Sequence, residues 1–184
     1  MDLWRHMIRH TQREYSAGAR LAAISCEALV FVVAIPTLLY WLSTLGGDRW
    51  RFRPSHAFSV FCLILAALGL FLGLWTVWAQ YRHARGTPVP IMATKKLLTS
   101  GPYSLCRNPM LLGTILYYAG MSTYTSSFVA MLGTVLFSVI MVVFVKLVEE
   151  KEMSLRFGEE YSRYMRRTPF IVPRVIFPGR RPGP

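Results

Sequence analysis

Residues 97–109, Leu-Leu-Thr-Ser-Gly-Pro-Tyr-Ser-Leu-Cys-Arg-Asn-Pro, form a polar, glycine- and proline-marked loop that opens directly onto a long apolar run. That run, residues 109–145 (PMLLGTILYYAGMSTYTSSFVAMLGTVLFSVIMVVFV), carries no charged side chain. The cluster Val148-Glu149-Glu150-Lys151-Glu152 closes it. The polar knot Ser122-Thr123-Tyr124-Thr125-Ser126-Ser127 at its middle predicts a turn, so 109–145 folds as a hairpin or as two crossings. Either way the loop and the double carboxylate arrive at the same end of the hairpin, as two walls of one site. Loops that merely connect spans do not need this much specific chemistry.

The rest of the chain fits a membrane setting. Its 184 residues are 53% hydrophobic and carry a formal charge of +12, with a mean hydropathy of +0.36. Soluble proteins that bind nucleic acid spread their basic residues through polar segments; here Lys and Arg sit between uncharged runs. A transmembrane helix needs roughly 20 apolar residues to cross about 30 Å of hydrocarbon. Residues 21–45 qualify with Glu27 as the one charge, and residues 57–81 qualify with none. With the hairpin, the expectation is an all-α integral membrane bundle of about four membrane segments, followed by a cytoplasmic C-terminal helix.

Basic residues set the expected orientation. Arg5, Arg9, Arg13 and Arg20 precede the first segment; Arg82, Arg85, Lys95, Lys96 and Arg107 lie in the central loop; Lys151, Arg156, Arg163, Arg166, Arg167, Arg174, Arg180 and Arg181 follow the last. The 122–127 turn has none, whereas the first loop has Arg49, Arg51 and Arg53, which run against the trend. The positive-inside rule puts both termini and the central loop in the cytoplasm, and the short basic loops fit a bacterial inner membrane. No small-residue cleavage site follows the long basic lead-in, so no cleaved signal peptide is expected. Residues 1–20 read as a basic interfacial segment and 21–174 as one membrane domain. Residues 175–184 read as a flexible basic tail that favours anionic headgroups.

Cys26, Cys62 and Cys106 show no metal-ligand spacing and no CxxC pair, so they read as free thiols. Cys106 beside Arg107 is a weaker candidate nucleophile. His6, His10, His56 and His83 form no ligand cluster, and no metal site is expected.

The third segment is short: Met110 to Met121 would rise only about 18 Å as an α-helix. Asn108 suits its N-cap and Pro109 its first helical position. The free N–H groups at such a start favour anions. Gly113 and Gly120 thin the helix for close approach of a neighbour or a ligand; ordinary capping and packing account for these features equally well. Beyond the fourth segment, Lys146 and Glu150 share a face four residues apart. Carboxylates at a membrane boundary are costly unless solvated or paired, which gives Glu149 and Glu150 either a functional role or that of an interfacial charge pair. Gly158 breaks the chain. Glu159 and Glu160 then start a short helix that Arg166 and Arg167 end, in the order the helix dipole favours. Its stripe of Phe157, Tyr161 and Tyr164 or Met165 reads as a docking face rather than a catalytic one.

Residues 97–101, Tyr103, Arg107-Asn108-Pro109 and Gly113, then Glu149-Glu150, Leu155, Phe157-Gly158-Glu159-Glu160-Tyr161, Tyr164, Pro169 and Pro173 resemble the superfamily of isoprenylcysteine carboxyl methyltransferases and phospholipid methyltransferases. The resemblance covers about residues 86–174; before that, the chain is similar only in having two hydrophobic spans. It implies a small helical membrane enzyme using S-adenosylmethionine. Carried over by position, Lys95, Leu97, Leu98, Tyr103, Asn108, Pro109, Met110 and Leu111 would line the cofactor from the loop and helix start. Glu150, with Glu149, would hold it from the opposite wall. Lys146 falls near a position where relatives have an Arg that touches substrate, and Arg107 and Lys146 are candidates to orient an anionic acceptor.

The chain departs from the family's commonest pattern, Arg-His-Pro followed by an aromatic, with Arg107-Asn108-Pro109-Met110-Leu111. Asn hydrogen-bonds but does not titrate. Lys95 stands where the prenylcysteine enzymes tend to have His, and Gly86-Thr87-Pro88-Val89-Pro90 resembles a bacterial branch. The implied reaction is methyl transfer to a lipophilic acceptor that enters from the bilayer, with no nucleic acid and no obligate protein partner. Phospholipid amine N-methylation is the main alternative. An NADPH-dependent sterol-type reductase, which should carry more phosphate-binding Lys and Arg, and a non-catalytic membrane protein are the others.

Overall fold

A computed structural model describes residues 16–45, 47–84 and 96–173. The interfacial segment before residue 16, Lys95 and the basic tail lie outside the described residues.

Three of the helices start at a serine whose hydroxyl caps them. Helix α1 (Ala17–Leu45) begins at Ser16, whose hydroxyl accepts from the Ala19 N–H at 3.2 Å. It widens into a π turn at Leu29–Ala34, closed by the Ile35 N–H donating to the Val30 carbonyl five residues back. Helix α2 (His56–Ala79) is capped by Ser55 and runs on into a second π turn, Gln80–Ala84. A four-residue helix, α3 (Pro102–Leu105), interrupts the loop. Helix α4 (Pro109–Tyr124) is the rising arm of the hairpin and α5 (Phe128–Phe144), capped by Ser127, the returning arm. A third π turn, Val145–Glu149, carries α5 into α6 (Glu150–Arg167). Gly158 bends α6 with φ 52° and ψ −120°, a backbone state that only glycine adopts without strain.

Three helical stretches among the described residues are long and apolar enough to cross a bilayer: Ala17–Leu45, His56–His83 and Phe128–Arg167. The chain is an integral membrane protein of the all-helical class, but the expected fourth crossing is not among these three. Helix α4 has 16 residues and rises about 24 Å, less than the roughly 30 Å of hydrocarbon. Asn108-Pro109 fixes its start, and the turn at Thr125 and Ser126, where Ser126 has φ 58°, fixes its end.

Helix α4 lies against α2 at backbone contact. A Cβ placed on Gly69 would sit 2.3 Å from the Tyr117 nitrogen, one on Gly113 2.8 Å from the Gly69 carbonyl oxygen, and one on Gly120 2.5 Å from that of Cys62. The glycines of the short segment therefore admit a neighbouring helix. Small residues at such contacts are the usual means by which membrane helices associate, since lipid supplies no hydrophobic drive between them. Tyr117 and Tyr118 then donate from α4 to the carbonyls of Val32 and Phe31, at 3.2 and 2.7 Å, inside the π turn of α1. Two buried hydroxyls are satisfied within their own helices: Ser43 donates to the Tyr40 carbonyl and Thr76 to that of Leu72. Large apolar side chains such as Ile64, Phe71, Leu132 and Ile140 face outward, as they do where the solvent is hydrocarbon.

At one end of the bundle an isolated bridge joins Arg51 to Ser127. At the other, the chain after α6 returns to the loop: the Arg107 N–H donates to the Pro169 carbonyl at 2.8 Å and the Asn108 N–H to that of Phe170 at 3.2 Å. The candidate site lies at this second end.

Candidate active site

All three π turns bring a residue to one cavity of about 240 Å³: Phe31 from α1, Gln80 from α2, and Val145 with Glu149 from the turn before α6. A π turn inserts one extra residue and redirects the side chains around it, a distortion found often at functional sites. The loop adds Leu97, Leu98, Tyr103, Arg107 and Asn108; the start of α4 adds Pro109, Met110, Leu111 and Thr114; α5 adds Met141 and Phe144. Helix α6 closes the far wall with Glu150, Glu152, Met153, Arg156, Tyr161 and Tyr164.

The charged part of this lining is ordered by pairing. Arg107 Nη2 lies 2.5 Å from Glu150 Oε1, with both side chains about nine-tenths buried. Nη1 of the same guanidinium donates to the carbonyls of Met165 and Thr168, at 3.0 and 3.2 Å, which ties the loop to the end of α6. Lys146 Nζ approaches the other Glu150 oxygen at 2.9 Å from one helical turn earlier. One carboxylate therefore bridges two cations. Glu152 and Arg156 make a second buried pair at 3.1 Å. Charge-assisted bonds of this kind hold geometry firmly, and their removal exposes the cost of a buried lone charge.

Phe170 caps the triad from outside, with Lys146 Nζ 4.8 Å and the Arg107 guanidinium 5.9 Å from its ring centre. Asn108 occupies the N-cap position of α4, but its side chain makes no capping bond. Its amide instead donates to the Phe170 carbonyl at 3.0 Å. The sequence reading of Asn108 as a side-chain cap is thus corrected: the nearby carbonyl of Phe170, in the segment that returns after α6, is the partner its amide takes.

Tyr103 accepts from Gln80 Nε2 at its hydroxyl, and its carbonyl accepts from the Tyr164 hydroxyl at 2.7 Å. Burial pushes the Tyr103 phenol well above its ordinary range, so it works as a neutral hydrogen-bonding group. Cys106 is fully buried and absent from the cavity lining; burial raises its thiol as well, which disfavours the thiolate that a nucleophile requires.

Of the residues named from sequence, Leu97, Leu98, Tyr103, Arg107, Asn108, Pro109, Met110, Leu111, Glu149 and Glu150 surround the one cavity. Lys146 stands outside its lining, half-exposed and bonded to Glu150. Phe31, Gln80, Glu152 and Arg156, which also line it, were not among the individual site residues expected from sequence. They come from other elements or from beyond the double carboxylate, and only the signal of a charged i, i+4 pair marked the last two. Tyr161 and Tyr164 were read as a docking stripe; they dock and also face the cavity.

Residues 58–160, more than half of the chain, match the phospholipid methyltransferase family. The chain belongs to that family. The match starts inside α2 and ends just past the bend of α6, so it includes Gln80, the loop, the hairpin and both carboxylate pairs. Its three long apolar helices make it an integral membrane member of that family. It is also 35% identical, over 134 residues, to the cobalt-zinc-cadmium resistance protein CzcN of Cupriavidus metallidurans. That alignment covers 71% of this chain and 56% of CzcN, so the chain spans little more than half the length of this relative.

Proposed function

We propose that the protein transfers a methyl group from S-adenosylmethionine to a lipophilic acceptor at the cytoplasmic face of a bacterial inner membrane. The observation that carries this reading is a single cavity with a mixed lining. Arg107, Glu149, Glu150, Glu152 and Arg156 supply its charged part, and Phe31, Met110, Leu111, Met141 and Phe144 from the membrane helices supply an apolar part. The family match supports methyl transfer. The basic residues at the site end of the helices support the cytoplasmic orientation.

The lining fits such a cofactor. Carboxylates are available for hydroxyl and ammonium donors, leucines and tyrosines for a flat heterocycle, and Gln80 Oε1 and Arg107 Nε are buried without a partner among the described residues. When bound, the cofactor supplies an electrophilic methyl group on a sulfonium. Lys95, Leu97, Leu98, Tyr103, Asn108, Pro109, Met110 and Leu111 are proposed to hold it from the loop side, and Glu149 and Glu150 from the other. Arg107 and Lys146 fix the Glu150 carboxylate through opposite oxygens, so its orientation is set before any ligand arrives. The Glu149 carboxylate compensates positive charge in the cavity. The apolar part of the lining keeps water from the reacting centre.

An acceptor carboxylate needs no general base. The half-exposed Lys146 ammonium beside the buried pair suits an anionic acceptor of the isoprenylcysteine carboxyl type. A phospholipid amine is the second reading, favoured by Glu149 as a base able to take the proton an ammonium must first lose.

Protein reconstituted in liposomes of bacterial lipid, with methyl-tritiated S-adenosylmethionine, separates these. Label in the organic extract that mild alkali releases as volatile methanol indicates a methyl ester; alkali-stable label indicates an amine. Label confined to water-soluble products would contradict a lipophilic acceptor.

A further inference from the structure

Gln80 is more than nine-tenths buried and lines the cavity from the π turn that ends α2. Its Nε2 is committed to the Tyr103 hydroxyl. Its Oε1 has no hydrogen-bond partner among the described residues and no contact with solvent. A buried carbonyl oxygen left this way keeps the full cost of its desolvation, and native structures rarely tolerate it. With Nε2 on the Tyr103 hydroxyl, the group left over is an acceptor, which suits an N–H or O–H donor.

The surroundings select the donor. Gln80 is bonded to Tyr103, on the same loop as Leu97 and Leu98, and all four line the cavity. An amide, a phenol ring and two leucines supply the polar edge and the apolar contacts that suit a flat heterocycle, with Glu149 in the same lining. The hydroxyls and the aminoacyl end of an adenosyl sulfonium have better partners among Glu149, Glu150, Glu152 and Arg156. We infer that Gln80 Oε1 accepts a hydrogen bond from the exocyclic 6-amino group of the cofactor's adenine, making Gln80 a specificity-determining residue for the base. This rests on the cofactor assignment proposed above. It also gives the π turn a purpose, since the turn carries Gln80 to the loop from the end of a membrane-spanning helix.

The test is a binding cycle needing no acceptor and no turnover. S-adenosylhomocysteine, its analogue with hydrogen in place of the 6-amino group, and its 2′-deoxy analogue are titrated calorimetrically into the parent and into Gln80→Met, with melting curves to show that both are folded. The parent should prefer S-adenosylhomocysteine over the 6-hydrogen analogue by about tenfold or more, because the analogue leaves Oε1 unpaired. In Gln80→Met that preference should fall to within about twofold, while the 2′-deoxy penalty stays as in the parent. An unchanged 6-amino preference in the variant, or a loss confined to the 2′-deoxy arm, overturns the inference and leaves the cofactor assignment standing. Should Gln80→Met not fold, the parent's own ratio decides, since equal affinity for the two bases also overturns it. Failure of the folded parent to bind S-adenosylhomocysteine at all would remove the cofactor assignment instead.

Discussion

Arg107 and Glu150, 43 positions apart in sequence, meet at 2.5 Å with their side chains about nine-tenths buried. This contact joins the loop before the hairpin to the helix after it and so defines the distance between the cavity's two walls. The same guanidinium bonds two carbonyls at the end of α6, so the loop, the hairpin and the C-terminal helix are held at one point.

Breaking the pair from one side strands a buried charge. Glu150→Ala should destabilise the protein by about 3–5 kcal/mol, measured as a lower melting temperature in detergent. Arg107→Lys should lose much of the same stability, because an ammonium cannot bond Glu150 and two carbonyls with a planar fork. A melting temperature unchanged in both variants would mean that the pair does not hold the walls.

The α2–α4 contact makes a prediction in the opposite sense, by adding atoms. Gly69→Ala and Gly120→Ala would each place a methyl group 2.3–2.6 Å from backbone atoms of the facing helix. Each should cost about 1–3 kcal/mol or more through overpacking. Gly73→Ala, with open space at its Cβ, should be neutral. Thermal unfolding of the three variants side by side checks this; equal behaviour would refute a packed interface.

How much of this was legible depends on how each feature is encoded. The loop 97–109 and the Glu149-Glu150 pair are contiguous and chemically unusual, so sequence alone placed them at one site. The short rise of the third segment was also visible as too few residues between Pro109 and the Ser122–Ser127 knot, although the expected count still allowed it a crossing. Gln80 was not legible. It is one amide at the end of an apolar helix, and its role depends on a π turn and a bond to Tyr103 that no periodicity announces. Glu152 and Arg156 were hidden differently: on a surface helix an i, i+4 pair is usually solvated, whereas the fold buries this one in the cavity lining. Asn108 fitted the capping pattern, but Phe170, which returns 62 residues later, captured its amide.

Gly158 holds the bend of α6 at φ 52°, where a β-carbon is strained. Gly158→Ala should cost about 1–3 kcal/mol. It should also weaken ligand binding, because Tyr161 and Tyr164 follow the bend and line the cavity. Parallel melting and binding measurements would reveal both effects; binding intact in a destabilised variant would limit the bend to a structural role.

Lys146 is half-exposed, so its ion pair contributes little to stability. Lys146→Met should shift stability by under about 1 kcal/mol. Its effect should appear in the acceptor KM for an anionic acceptor and be restored largely by Lys146→Arg. A KM unchanged in Lys146→Met would remove Lys146 from acceptor recognition.

The central claim is that the cavity between residues 97–111 and Glu149-Glu150 is a cofactor site. Calorimetric titration of S-adenosylhomocysteine into the detergent-purified protein tests it most directly, with Glu150→Ala alongside and folding verified for both. Micromolar binding by the parent that is lost in the folded variant is the predicted result. A folded parent that takes up no S-adenosylhomocysteine would contradict the account.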